Sequence, residues 1–231
     1  MSKIFCIGRN KTGTTSLEKA FKDLNYKVGN QRDAEKLLIN YIEHDFESIV
    51  NYCNTAEVFQ DVPFSWPDTY KHIDKAFPGS KFILTERDSS EQWYNSITKF
   101  HSKKFADGKR IPTKKDLINA TYIFKGQPWL VHKHIYGITD ENTYDKEIMI
   151  RNYEKHNAEV KEYFKDRPDD LLVINISQKD AFKKFCEFLK IESPPYNDFP
   201  WENKTSDIGA NKNSKIIKLK RKLKRLKEKI Q

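Results

Sequence analysis

Residues 3–21, KIFCIGRNKTGTTSLEKAF, decide the fold. Lys3–Ile7 is a short apolar run that stops at Gly8, the pattern of a buried strand. Leu17, Ala20, Phe21 and Leu24 then recur at helical spacing, so a helix is expected over Thr14–Leu24. Between strand and helix stands Gly8-Arg9-Asn10-Lys11-Thr12-Gly13-Thr14-Thr15, with four residues between its glycines, the spacing of a phosphate loop. Glycine permits positive φ and close backbone approach, and successive amides at a helix N-terminus cradle an anion. A nucleoside-triphosphate loop has Lys directly after the second Gly, then Ser or Thr for magnesium. Here Thr14 takes the lysine position and Lys11 sits mid-loop. No apolar run ends in an acid to complete a magnesium site: Phe82–Leu84 leads to Thr85-Glu86-Arg87, and Leu171–Ile176 leads to Ser177. The loop thus offers one cation with several hydroxyls and amides, and no metal is expected. The bland alternative is a tight strand–helix turn with a solvated lysine.

Working outward, strand-like runs alternate with helical patterns. Strands are expected at Ala56–Gln60, Lys81–Thr85 and Leu171–Ile176, with a shorter one at Tyr26–Val28. Helices are expected over Pro67–Phe77, stopped by Pro78-Gly79, from Ser90 to Phe100, from Thr143 to Lys165 and from Asp180 to Leu189. Alternation of this kind predicts an α/β fold of three layers, a mostly parallel sheet of about four to five strands flanked by helices. Ligands bind such sheets at the carboxyl ends of the strands, where Gly8–Thr15, Asp61 and Arg87 would converge. Residues 101–140, rich in Lys, His and aromatics, are expected to form an insertion or lid on the acceptor side, and 192–210 irregular chain.

The chain has 231 residues, enough for one domain with an appendage and for a core without disulfides or metals. Its formal charge of +9 is uneven: residues 211–231 hold ten Lys or Arg and one acid, and the remaining residues balance. Domain boundaries at 1–210 and 211–231 follow. In the tail Ile216, Leu219, Leu223, Leu226 and Ile230 form an a/d seam of two heptads amid lysines. Such a helix could dock on the body, self-associate, or meet an anionic membrane; specific nucleic-acid binding is not expected of a body with no net charge. No apolar run is long enough to span a membrane, and the strand starting within three residues of Met1 leaves no signal peptide to be expected. Cys6, Cys53 and Cys186 are odd in number and widely spaced, which predicts buried reduced thiols and a cytoplasmic chain, peripheral at a membrane only through the tail.

A second segment, Phe82-Ile83-Leu84-Thr85-Glu86-Arg87-Asp88-Ser89-Ser90, ends a strand, releases an arginine and caps a helix. Arg87 suits bidentate phosphate binding, with a salt bridge to Glu86 or Asp88 as the alternative. Ser96 lies two helical turns on.

KIFCIGRNKTGTTSLEKAF resembles the 5′-phosphosulfate loop of sulfotransferases that use 3′-phosphoadenosine-5′-phosphosulfate (PAPS), and KFILTERDSSEQWYNSI resembles their 3′-phosphate segment. Asp61-Val62-Pro63, Tyr70, Phe77-Pro78-Gly79-Ser80-Lys81-Phe82, Tyr136-Gly137, Tyr153 with His156-Asn157 and Arg167-Pro168-Asp169-Asp170-Leu171-Leu172 look like landmarks of the small P-loop sulfotransferase-like branch. The resemblance covers about residues 3–204 and implies sulfuryl transfer from PAPS to an acceptor hydroxyl or amine, leaving adenosine 3′,5′-bisphosphate (PAP). It implies that Arg9, Asn10, Lys11, Thr12, Gly13, Thr14, Thr15 and Ser16 hold the 5′-phosphosulfate, with Lys11 on the leaving oxygen. Arg87, Ser96 and Lys204 would hold the 3′-phosphate. Ser96 stands nine residues after Arg87, where the family's serine commonly stands eight, so Asn95, Ser89 and Ser90 compete for its role. Asp61 is the first choice of general base, ahead of His132 and His134, with a helix-capping role as its alternative. His156 with Asn157, and Trp66, Trp93 and Trp129, are expected to be structural. The rivals are a P-loop kinase or hydrolase and a non-catalytic adaptor that binds anionic surfaces or nucleic acid through its basic tail.

Overall fold

The computed structural model describes residues 2–138 and 142–200. The tail at 211–231, Lys204 and the far part of the irregular stretch lie outside the described residues. Among the described residues four strands form one parallel sheet: β1 (Ile4–Cys6), β2 (Val58–Gln60), β3 (Lys81–Thr85) and β4 (Leu171–Ile174), in the order β2-β1-β3-β4. Phe5 faces Phe59 on one side and Phe82 on the other, and Ile83 faces Leu172. The expected strand at Tyr26–Val28 reduces to a single parallel bridge from Val28 to Val58.

Ten helices accompany the sheet among the described residues: α1 (Thr14–Asp23), α2 (Gln31–Ala34), α3 (Leu38–Ile42), α4 (Phe46–Tyr52), α5 (Thr69–Ala76), α6 (Ser90–Phe105), α7 (Lys114–Asn119), α8 (Gln127–Ile135), α9 (Lys146–Tyr163) and α10 (Ala181–Leu189). Side chains alternate across a strand, so each strand feeds two cores. Phe5, Ile7, Phe82 and Leu84 join Ile49, Tyr70, Ile73 and Val160 from α4, α5 and α9. Ile4, Cys6, Val58 and Ile83 join Leu17, Phe21, Phe182 and Phe185 from α1 and α10. These are the three expected layers. All three cysteines are buried and unpaired.

The helices over 31–52 went unpredicted, because each spans seven residues or fewer, too few turns to show a period. Helix α6 runs five residues past its expected end, to Phe105. Helix α9 starts at Lys146, where the Asp145 side chain accepts from the Ile148 amide, rather than at Thr143. The insertion contributes α7, α8 and the end of α6. It is packed rather than loose: Leu117, Ile135 and Tyr136 share an apolar cluster with Trp66, Trp93 and Ile97. Among the described residues, no helix is long and apolar enough to cross a membrane.

Candidate active site

Strand order reverses between β1 and β3, and ligand crevices in parallel sheets open at such points. Gly8 lies where β1 passes β3: a Cβ there would sit 2.5 Å from the Thr85 backbone nitrogen and 2.6 Å from its oxygen. The chain then enters the loop. Lys11 has φ 68° and Gly13 φ 112°, and a Cβ on Gly13 would lie 2.1 Å from Ile176 Cδ1. The amides of Thr14 and Thr15, in the first turn of α1, have no acceptor within their own helix.

A cavity of 710 Å³ opens above this loop. It is lined by Asn10, Lys11, Gly13, Thr14, Thr15, Ser16, Asp61 and Arg87, eight of the twelve residues expected as donor ligands or first-choice base. Arg87 donates from Nε to the Lys11 carbonyl at 2.7 Å, which leaves its two Nη groups for a ligand. Its backbone amide donates to the Tyr153 hydroxyl at 3.0 Å. The Lys11 ammonium lies 4.2 Å from the centre of the Phe100 ring. Burial, and then the Arg87 guanidinium, pull it down to about 8, against the attraction of Asp61. Thr14 Oγ1 donates to Asp61 Oδ2 at 3.2 Å, joining the loop to the end of β2. Burial pushes the Asp61 carboxyl up to about 6; the Thr14 hydroxyl, the Val62 amide and Lys11 hold it from rising further, while Glu35 adds to the rise.

Three predicted ligands stand elsewhere. Arg9 is 2% exposed and turns away from the cavity, donating from Nη1 to the Ser65 carbonyl at 3.0 Å and from Nη2 to Asn152 Oδ1 at 2.6 Å. Thr12 is fully buried and bonds the Arg9 carbonyl and the Thr85 hydroxyl, so it braces the loop from beneath. Ser96 is partly exposed on α6 and does not line the cavity. Of its competitors, Ser89 caps α6, accepting from the Gln92 amide at 3.1 Å.

The runner-up bases separate. His132 lines the cavity, and its Nδ1 donates to the Thr143 carbonyl at 2.8 Å, which makes Nε2 the unprotonated nitrogen. Burial pulls this imidazole down to about 4, so it is neutral near pH 7. His134 is exposed and outside the cavity lining. His156 is structural: its Nε2 donates to the Ile7 carbonyl at 2.9 Å. Trp93 stacks on Tyr153 at 4.6 Å and donates to the Asn10 carbonyl at 3.0 Å, holding the loop from the α6 side.

The opposite wall was not foreseen. Glu35 is buried, accepting from the Tyr122 hydroxyl at 2.7 Å and from Arg32 at 2.9 Å, while Gln127 Nε2 donates to its carbonyl at 3.1 Å. These bonds tie the insertion to the segment after β1 and α1, across the cavity. The one sequence signal was Asn30 ahead of Gln31-Arg32-Asp33, a helix cap whose side chain accepts from the Arg32 amide.

Fold and site together define a phosphate-loop α/β protein with a cleft at its switch point, Lys11 and Arg87 on the loop side and the Asp61 carboxyl on the same wall. The chain belongs to the family described as Sulfotransferase domain, which matches residues 3–208. A search of curated proteins gives no match. Membership supports an enzyme of the sulfotransferase class, with PAPS and PAP as the family's general donor and product and an acceptor substrate.

Proposed function

We propose that the chain transfers a sulfuryl group from PAPS to a hydroxyl or amine of an acceptor, with Lys11 and Asp61 as its catalytic residues. The observation that carries this is their placement: the loop lysine and a raised carboxylate line one cleft, joined through Thr14. The residues suit the donor. Glycine-shaped backbone, the Thr14 and Thr15 amides and Lys11 suit a phosphosulfate, and the Arg87 fork suits a separate phosphate. PAPS supplies the activated sulfuryl group and a phosphate leaving group. Lys11 stabilises negative charge as it develops on that leaving oxygen, and positioning of this kind is the main source of rate in phosphoryl-type transfers. Asp61 takes the proton of the acceptor, a contribution of about 10²–10⁴-fold for a placed general base. The three buried thiols support a cytoplasmic setting.

The test is thermal unfolding with PAP and no magnesium, beside ATP with magnesium and adenosine 5′-phosphate. PAP at 100 times its Kd adds about 2.7 kcal/mol of stability. The expected result is stabilisation by PAP alone, lost in Lys11→Ala and Arg87→Ala. A response only to ATP with magnesium would replace this reading with a kinase or hydrolase, and silence from all three nucleotides would favour an adaptor.

A further inference from the structure

Arg9 is a buried cation that the proposed chemistry does not use. Taking a guanidinium out of water is costly unless it is paired and hydrogen-bonded. Among the described residues no carboxylate forms an ion pair with Arg9, and its Nε has no partner. What it has is two oxygens on two different segments.

The first, the Ser65 carbonyl, belongs to the turn that carries Asp61: the Ser65 amide donates to the Asp61 carbonyl at 2.8 Å. The second, Asn152 Oδ1, belongs to α9, and Asn152 Nδ2 donates onward to the Ile135 carbonyl at the end of α8, at 2.9 Å. Arg9 itself stands two residues before Lys11 in the loop. One side chain therefore fastens the lysine's loop to the carboxylate's turn and, through Asn152, to the insertion helix. The neighbouring face of α9 makes parallel ties: His156 donates to the Ile7 carbonyl, and the Tyr153 hydroxyl accepts from the Arg87 amide.

We propose that Arg9 is a positioning residue, not a donor ligand: its guanidinium fixes Asp61 and helix α8 against the phosphate loop. Arginine suits the task because its planar fork spans two acceptors in fixed geometry, whereas lysine offers a single point of attachment. The proposal rests on the reading of Lys11 and Asp61 as the reacting pair.

Amide hydrogen exchange of the full chain tests it, with Arg9→Met, Arg9→Lys and Asn152→Ala beside the unmodified protein. In Arg9→Met, peptides covering 61–66 exchange at least about 10-fold faster, while β3 and α10 keep their rates, because opening is local. Arg9→Lys and Asn152→Ala fall between. PAP affinity stays within about 3-fold, and PAPS turnover falls in kcat rather than KM, as expected when an interaction made only in the transition state is lost. Asp61→Asn then costs little more in the Arg9→Met background, the non-additivity of residues that act as a unit. Unchanged exchange at 61–66, exchange that rises evenly over sheet and helices, or additive losses with Asp61→Asn would each overturn the proposal. Failure of PAP to bind the unmodified protein would instead remove the sulfotransferase reading and leave the exchange result standing by itself.

Discussion

Asp61→Asn is expected to make the protein more stable at neutral pH while disabling it. Asp61 has φ 58°, a left-handed conformation that asparagine tolerates well, and an amide oxygen can still accept from Thr14. What the substitution removes is a charge held in a partly buried position on the cleft wall. Burial raises the folded carboxyl from 3.8 to about 6, so the folded state binds the extra proton. The cost is absent below pH 3.8, where the group is protonated in both states, and complete above about 6, where it is ionised in both. Stability therefore falls as pH rises through this window, opposite to a salt-bridged carboxylate. Two pH units correspond to a ceiling of about 3 kcal/mol. For a chain of this size that is roughly 6–12 °C in Tm. Thermal unfolding of both proteins at pH 3.5 and 7.5 measures it: the variant gains at pH 7.5 and the gain closes at pH 3.5. PAPS turnover by the variant falls about 10²–10⁴-fold. A variant less stable than the parent at pH 7.5, or a gap unchanged at pH 3.5, would refute the reasoning.

Three further outcomes follow from the same geometry. The kcat/KM profile rises through about pH 6 as Asp61 ionises and falls above about 8 as Lys11 loses its proton; a flat upper limb would show that the lysine charge is not needed. Gly8→Ala places a methyl against the Thr85 backbone and belongs at the upper end of the ~1–3 kcal/mol range for overpacking, read as a fall in Tm, whereas a neutral effect would contradict the packing of β1 on β3. The native thiols react slowly with a disulfide reagent at pH 8, since burial pushes Cys53 up to about 12 and raises Cys6 and Cys186; three equivalents reacting as fast as in the unfolded chain would contradict their burial.

The four strands with apolar runs, the long helices and the phosphate loop were legible in the sequence, because each is a local pattern. Lys81–Thr85 forms over its expected residues, and Leu171–Ile176 and Ala56–Gln60 each lose two residues. Convergence of the loop, Asp61 and Arg87 was also legible, since a parallel sheet brings its carboxyl ends to one edge. The helices over 31–52 were not, being too short to carry a period.

Sequence by itself determined which residue types stand on the loop side of the cleft and that they share one sheet edge. Only tertiary structure decided their roles, because a side chain's direction depends on packing between distant segments. Arg9 and Lys11 stand two residues apart in the loop and were both expected to hold the donor, yet one turns inward to Ser65 and Asn152 while the other lines the cavity. His132 and His134 are two residues apart on one helix, and the helical turn alone buries the first and exposes the second. The opposite wall, built on Glu35, Tyr122 and Gln127, joins residues 87 and 92 positions apart, a distance over which no local pattern can speak.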